Sequence, residues 1–172
     1  TKKQDILLPS FNDSSEKNKI MRIRGMSDSA SLKKKFHNTK IHQDLRPEIE
    51  NHKKIYDELE NLRCEVLGSS KMPGIKKNIG EFLELELNEE VENKISQEKT
   101  IKFILRDKLL KEKLSEKYEN KLDNIYKNTK SFLNNYDENI IDFIDNQKKF
   151  SHFIYELLKS VFLENKNTDQ KE

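Results

Sequence analysis

The sequence predicts an all-α fold, a bundle of about five or six helices, and three observations carry that prediction. Apolar residues recur at intervals of three and four along most of the chain, the spacing that gathers them on one face of a helix. Only 4 glycines and 3 prolines interrupt 172 residues, so long uninterrupted helices are permitted. Charged residues make up 37% of the chain and hydrophobic ones 33%, yet 33 basic side chains nearly cancel 31 acidic ones to leave a net charge of +2. Disorder of this composition usually carries a large net charge, whereas mixed signs at high density suit the solvated faces of amphipathic helices.

Taken in order, residues 1–22 show no sustained period and are expected to form a flexible N-terminal arm. Its apolar residues Ile6, Leu7, Leu8 and Phe11 flank Pro9. Residues 23–164 are expected to form one helical domain. It begins with a short helix over 27–36, where Leu32 and Phe36 lie four apart. The first strong helix is expected to open at Pro47, whose fixed φ suits a first helical position. Ile49, His52, Ile55, Leu59, Leu62 and Val66 supply its apolar face, and Gly68 is placed to end it in a left-handed conformation. Ser70 is read as the cap of the next helix, with Pro73 in its first turn and Ile75, Ile79, Phe82 and Leu83 as its buried face. The two form an αα-hairpin near 47–85. The acidic text "ELELNEEVEN" is read as a separator.

Three further helices are expected, over 97–114, 115–134 and 138–164. The last is the most apolar and is read as the central core helix. Residues 165–172 are expected to be a polar tail leading to a linker and a C-terminal domain outside this chain, of which the first residue, Thr1, already suggests a piece.

Composition narrows the functional classes. Cys64 is the single cysteine, so no intrachain disulfide forms and a reducing, cytoplasmic location is expected. Within a helix such a thiol behaves as a small buried hydrophobe. No apolar run exceeds three residues, far short of the roughly 20 that span a bilayer. There is no G-x-x-x-x-G-K-[ST] and no G-x-G-x-x-G, so nothing here cradles a nucleotide phosphate. "SDSAS" at 27–31 fails the D-x-S-x-S metal pattern, because Ala30 stands where serine is needed. His37, His42 and His52 could supply imidazole ligands, with His37 and His42 the metal-binding candidates, but their spacings of five and ten lack a cysteine or carboxylate pair to complete a site. Lys33, Lys34 and Lys35 would suit a phosphate-contacting patch, but near-neutral charge and the lack of interleaved aromatics argue for a solvated helix face and no nucleic-acid partner. No catalytic grouping of serine, histidine and carboxylate is found.

Around the hairpin joint, "ENLRCEVLGSSKMPGIKKNIGEFLE" (60–84) places Arg63 and Asn78 at the borders of the apolar stripes. Glu60, three positions before Arg63, could hold the guanidinium; otherwise these groups line a surface read by a partner.

Together with "IRGMSDSASLKKKFHN" (23–38), His42 and Pro47, this stretch resembles the N-terminal region of the CobT family, a subunit of the aerobic, ATP-dependent cobaltochelatase of cobalamin biosynthesis. The pattern consists of Arg24-Gly25, Asp28, Leu32, His37, His42, Glu60, Arg63, Glu65, Gly68, Met72, Gly74 and Asn78. It covers the first half of the chain well and the second half more loosely, around Asp145, Gln147 and Ile154. The resemblance implies a non-catalytic assembly domain acting in cobalt insertion into hydrogenobyrinic acid a,c-diamide. It also implies two partners, the AAA+ ATPase subunit CobS and the large corrin-binding subunit CobN. ATP, magnesium and cobalt are then used by the complex, with no cofactor held by this chain. The expected partner-contact residues are Arg24, Asp28, His37, His42, Arg63, Glu65, Met72 and Asn78. Two other readings stand beside this one: a helical module that itself binds metal or a corrin ligand through His37 and His42, and a helical nucleic-acid-binding module using Lys33 to Lys35.

Overall fold

In a computed structural model, residues 16–89, 95–122, 125–136 and 139–168 are described. They form eight α-helices and no strand: α1 (Glu16–Phe36), α2 (Thr39–Asp44), α3 (Glu50–Ser69), α4 (Pro73–Glu89), α5 (Gln97–Leu110), α6 (Leu114–Lys117), α7 (Ile125–Asn135) and α8 (Gln147–Thr168). Short 3₁₀ turns at Glu119–Lys121 and Ile140–Phe143 lead into α7 and α8. None of the described helices is long and apolar enough to cross a membrane.

The central element is α3 rather than α8. It packs against α1, α4, α5 and α8, while α7 closes the far side against α5 and α8. Twelve of its residues are buried, including Ile55, Tyr56, Leu59, Leu62 and Val66. The most apolar helix therefore lies to one side, and the helix with a charged sequence lies in the middle. Apolar density alone does not identify the centre, because charges that pair inside the protein can be buried too.

The chain N-terminal to α3 departs most from expectation. Residues 16–22, read as part of an arm, are the first two turns of α1, a 21-residue helix; residues 1–15 lie outside the described residues. Only Gly25 and Leu32 of α1 are buried, so no apolar stripe announces the helix. It packs by close approach instead. A Cβ built on Gly25 would lie 2.3 Å from Phe82 Cβ and 2.9 Å from the Asn78 carbonyl oxygen. Gly68 plays the same part where α1 meets α3, its missing Cβ leaving room for the Leu32 methyls. It does not end α3 in a left-handed conformation, since no described glycine has positive φ.

Pro47 does not open α3; it is buried in the connection after α2, and Ile49 in extended conformation precedes the first turn. The hairpin joint is three residues long, 70–72. Ser70 Oγ donates back to Leu67 O (3.0 Å), so it does not cap α4. Met72 supplies the carbonyl that receives Lys76 N–H, and Pro73 takes the first helical position as expected. The acidic text is not a separator: through Glu89 it continues α4, burying Leu83, Leu85 and Leu87, and residues 90–94 lie outside the described residues.

Ser96 caps α5, and Lys111 closes it in the left-handed region at φ 54. Asp107 then reaches forward, its carboxylate accepting from Leu114 N (2.9 Å) and Ser115 N (2.6 Å), so the 115–134 segment begins as a separate short helix and is broken before α7. Likewise 138–164 is a 3₁₀ turn followed by α8, whose last turn takes in residues 165–168 of the expected tail. Residues 169–172 lie outside the described residues.

Candidate functional site

The face of α3 toward α1 and the start of α8 carries Glu60 and Arg63, three residues apart and each with only 2% of its side chain exposed. Arg63 Nε and Nη2 donate to the Glu60 carboxylate at 2.8 and 2.9 Å. The remaining donors of the guanidinium leave the helix. Nη1 reaches Ile144 O (2.9 Å) before α8, and Nη2 reaches Phe36 O (2.8 Å), the last residue of α1. His37 Nδ1 completes the knot by donating to Glu60 Oε1 (3.0 Å). A planar five-donor fork suits this bridging of a carboxylate and two carbonyls, which a lysine could not reproduce.

One turn further, on the side facing α5, Glu65 is also buried, with 3% of its side chain exposed. Its Oε1 accepts from Ser29 Oγ (2.7 Å) and lies 3.5 Å from Lys102 Nζ. Its Oε2 stands 3.7 Å from Arg106 Nη1, an ion pair too long for a hydrogen bond. Lys102 donates also to Glu58 (3.1 Å), and Arg106 Nε to Glu112 (2.8 Å). Burial alone would lower the Lys102 pKa, but Glu65 and Glu58 outweigh it and hold the ammonium above its ordinary value. The sequence gives Lys102 and Arg106 no signal as functional residues: they sit four apart in "IKFILRDKLL" and look like an exposed stripe until α3 presents its carboxylates.

The other residues of the family-like pattern fall around these two knots. Asn78 Nδ2 donates to Asp28 Oδ2 (2.8 Å), joining α4 to α1 beside Gly25. His42 lies against His37 with ring centroids 4.8 Å apart. Its Nε2 donates to Asp57 (2.9 Å), which Arg46 also holds, while Nδ1 is buried without a hydrogen-bond partner. Burial lowers the His42 pKa, partly offset by Asp57. Met72 is half-buried against the core. Arg24 is exposed on the outer face of α1.

The structure thus brings most of the expected residues together, but as internal ties. Arg63 is not on a rim open to a partner, which corrects the surface role read from its border position, and Glu65, expected as a partner contact through the resemblance, is buried as well. The alternative weighed from the sequence, Glu60 holding the guanidinium, is the one realised. The two histidines adjoin, yet among the described residues no three of His, Cys, Asp and Glu converge on a position that could hold a metal ion. Cys64 is fully buried, and desolvation, with Glu60 adding repulsion, pushes its thiol up to about 12.

Two surface features went unread. On α1, Ile20 and Ile23 are 48% and 39% exposed and stand beside Arg24. Where α1, α3, α4 and α5 meet lies a cleft of about 350 Å³ whose lining includes Met26, Asn61, Glu65, Phe82, Lys102 and Phe103.

The family model described as cobalamin biosynthesis protein CobT matches residues 1–172, the whole chain. No solved structure matches.

Proposed function

Because the chain belongs to the CobT family of cobalamin biosynthesis proteins, we propose that it is a helical assembly domain of a cobaltochelatase subunit, without catalytic chemistry of its own. In this reading it docks either the AAA+ ATPase subunit or the large corrin-binding subunit during ATP-dependent insertion of cobalt into hydrogenobyrinic acid a,c-diamide. ATP, magnesium, cobalt and the corrin are handled by the partners.

One observation carries the reading. The polar residues of the family-like pattern spend their hydrogen bonds inside the fold across α1, α3, α4 and α5, on one another as Asp28–Asn78 and His37–Glu60–Arg63, and, for Glu65, on Ser29 and Lys102. Side chains engaged in this way fix the relative positions of four helices and are not poised for proton transfer or nucleophilic attack. A body so tied offers a partner a fixed outer surface, with little ordering entropy lost on docking. The face assigned to docking is the outer stripe of α1, where the exposed apolar pair Ile20 and Ile23 adjoins the exposed Arg24. Apolar groups flanked by an arginine are the composition of an interface centre.

The test is size-exclusion co-elution of the full chain with the purified ATPase subunit and, separately, the large subunit, each with and without ATP and magnesium. Co-elution with one of them is expected. Ile23→Glu is expected to weaken it about tenfold or more, since placing a carboxylate in an apolar interface centre costs about 1–2 kcal/mol, with the helical circular dichroism unchanged. Failure to co-elute in every condition would overturn the assembly reading.

A further inference from the structure

The outer side of α1 sets an apolar centre beside a row of cations. We propose that it receives an acidic amphipathic helix of a partner protein, whose apolar stripe covers Ile20 and Ile23 and whose carboxylates meet Lys17, Arg24 and Lys35.

Charge is concentrated on this helix. Residues 16–36 hold seven basic side chains and two acidic ones, a net +5 in a chain whose total is +2, which leaves −3 for the rest. The fold uses part of this charge. Arg22 pairs with Glu89 on α4, and Asp28, one turn beyond Arg24, accepts from Asn78 Nδ2 at 2.8 Å. Lys17, Arg24 and Lys35 are exposed and form no ion pair with any described residue, Lys35 standing over the Phe36 ring at 5.3 Å. Intervals of seven and eleven separate the three, and at about 100° per residue these bring them onto one line, about 27 Å long. Cations so spaced steer an anionic partner and fix its register.

The apolar centre selects the kind of anion. Ile20 and Ile23 are 48% and 39% exposed, and the helical period places them opposite the buried Gly25 and Leu32. Ser27, Ala30 and Ser31 continue this side with short side chains, which leave room for the larger residues of a second helix laid along it. Helix α1 already packs by close approach on its inner side, where Gly25 admits Phe82. A phosphate backbone brings no apolar surface to cover the isoleucines, and two isoleucines bury too little area to hold a helix in a lipid interface. An amphipathic helix of about five turns, with aliphatic residues on one stripe and Asp or Glu along the adjoining edge, supplies both complements.

The proposal rests on the assembly reading for the choice of this face, so binding is tested first on the chain alone. The probe is a synthetic peptide of about five helical turns, with leucine on one stripe and glutamate along its edges, titrated into the ¹⁵N-labelled chain. A second peptide carries lysine in place of every glutamate. Saturable amide shifts are expected along residues 16–35, with a Kd of roughly 10–100 μM and binding of the lysine peptide at least about tenfold weaker. Arg24→Glu is expected to weaken the glutamate peptide about fivefold and Ile23→Glu about tenfold. Lys127→Glu, an equal change of charge to Arg24→Glu at an exposed position on α7, is expected to leave binding within about twofold. No saturation, shifts confined to other helices, equal binding of the lysine peptide, or an equal loss from Lys127→Glu would each overturn the proposal. Tighter binding on α1 of a duplex DNA oligonucleotide or of phosphatidylserine vesicles would do so too. Co-elution with a chelatase subunit that survives Arg24→Glu unchanged would keep the assembly reading and overturn the acidic helix. Peptide binding on α1 with no co-elution of either subunit would keep the acidic helix and remove the assembly reading.

Discussion

At the scale of single residues, burial turns ordinary side chains into elements of stability with a definite pH dependence. Cys64 is fully buried beside Glu60, and its thiol is pushed up to about 12. In the unfolded chain a cysteine thiol ionises near pH 8.5. Between about pH 8.5 and 12 the unfolded state therefore loses a proton that the native state keeps, and stability falls as pH rises, by up to about 1.4 kcal/mol per pH unit from this group. Lys102, also raised, contributes in the same direction but only above the ordinary lysine range of about 10.4. The urea midpoint is expected to drop between pH 8 and pH 10 in the native chain and to drop clearly less in Cys64→Ala; parallel slopes would show that the thiol is not shielded. The burial of Cys64 was legible from its place among helix residues, and the Glu60–Arg63 pair from its i, i+3 spacing. That Arg63 is inside was not legible, because two of its acceptors, Phe36 O and Ile144 O, come from segments 27 and 81 residues away. Local spacing suggests which partner a charge can take on its own helix, but not whether distant carbonyls will take its remaining donors.

At the scale of elements, apolar period found α3, α4, α5 and α8, found only the 27–36 end of α1, and missed α2. The failure at α1 has a physical cause. A helix that packs through Gly25 and Leu32, with small residues between, buries main chain more than side chains and leaves no stripe to count. The glycines of the two hairpin neighbours then separate by function. Gly74 has open space where a Cβ would project, so Gly74→Ala is expected to stabilise by about 0.5–1 kcal/mol through reduced backbone entropy in the unfolded state. Gly25→Ala would gain a similar helical contribution of about 1 kcal/mol. The new methyl, however, meets a main-chain oxygen at 2.9 Å as well as Phe82, so α1 and α4 must move apart at an overpacking cost of about 1–3 kcal/mol. Thermal unfolding of the two variants is expected to shift in opposite directions; equal upward shifts would mean that the close approach of α1 to α4 does not constrain position 25.

At the scale of the whole molecule, polar ties add to the apolar contacts that join the first and last described helices to the middle of the fold. Gln147, at the start of α8, accepts from Asn38 N and donates to Asn38 O (2.9 and 3.1 Å), a two-way clasp on the α1–α2 junction. The Tyr56 hydroxyl meets Ser151 at 2.8 Å, and Tyr155 donates to Leu45 O (2.9 Å). Arg63 stands at the centre of this system, touching α3, the end of α1 and the approach to α8 at once. The helical class and the hairpin could be read from periodicity. The ties could not, because each joins residues more than 20 positions apart whose types are common on any helix surface. This is why Arg63 and Glu65, expected at a partner's surface, serve as internal ties, while the less conspicuous Ile20 and Ile23 stay exposed.

The central claim is that Arg63 acts inside the fold and not at a partner's surface, and the most direct measurement is the urea unfolding free energy of Arg63→Ala. Removing one member of a buried, hydrogen-bonded pair strands Glu60 and two carbonyls, so a loss of about 3–5 kcal/mol, or failure to fold, is predicted. A midpoint and slope indistinguishable from those of the native chain would contradict the account and return Arg63 to the surface.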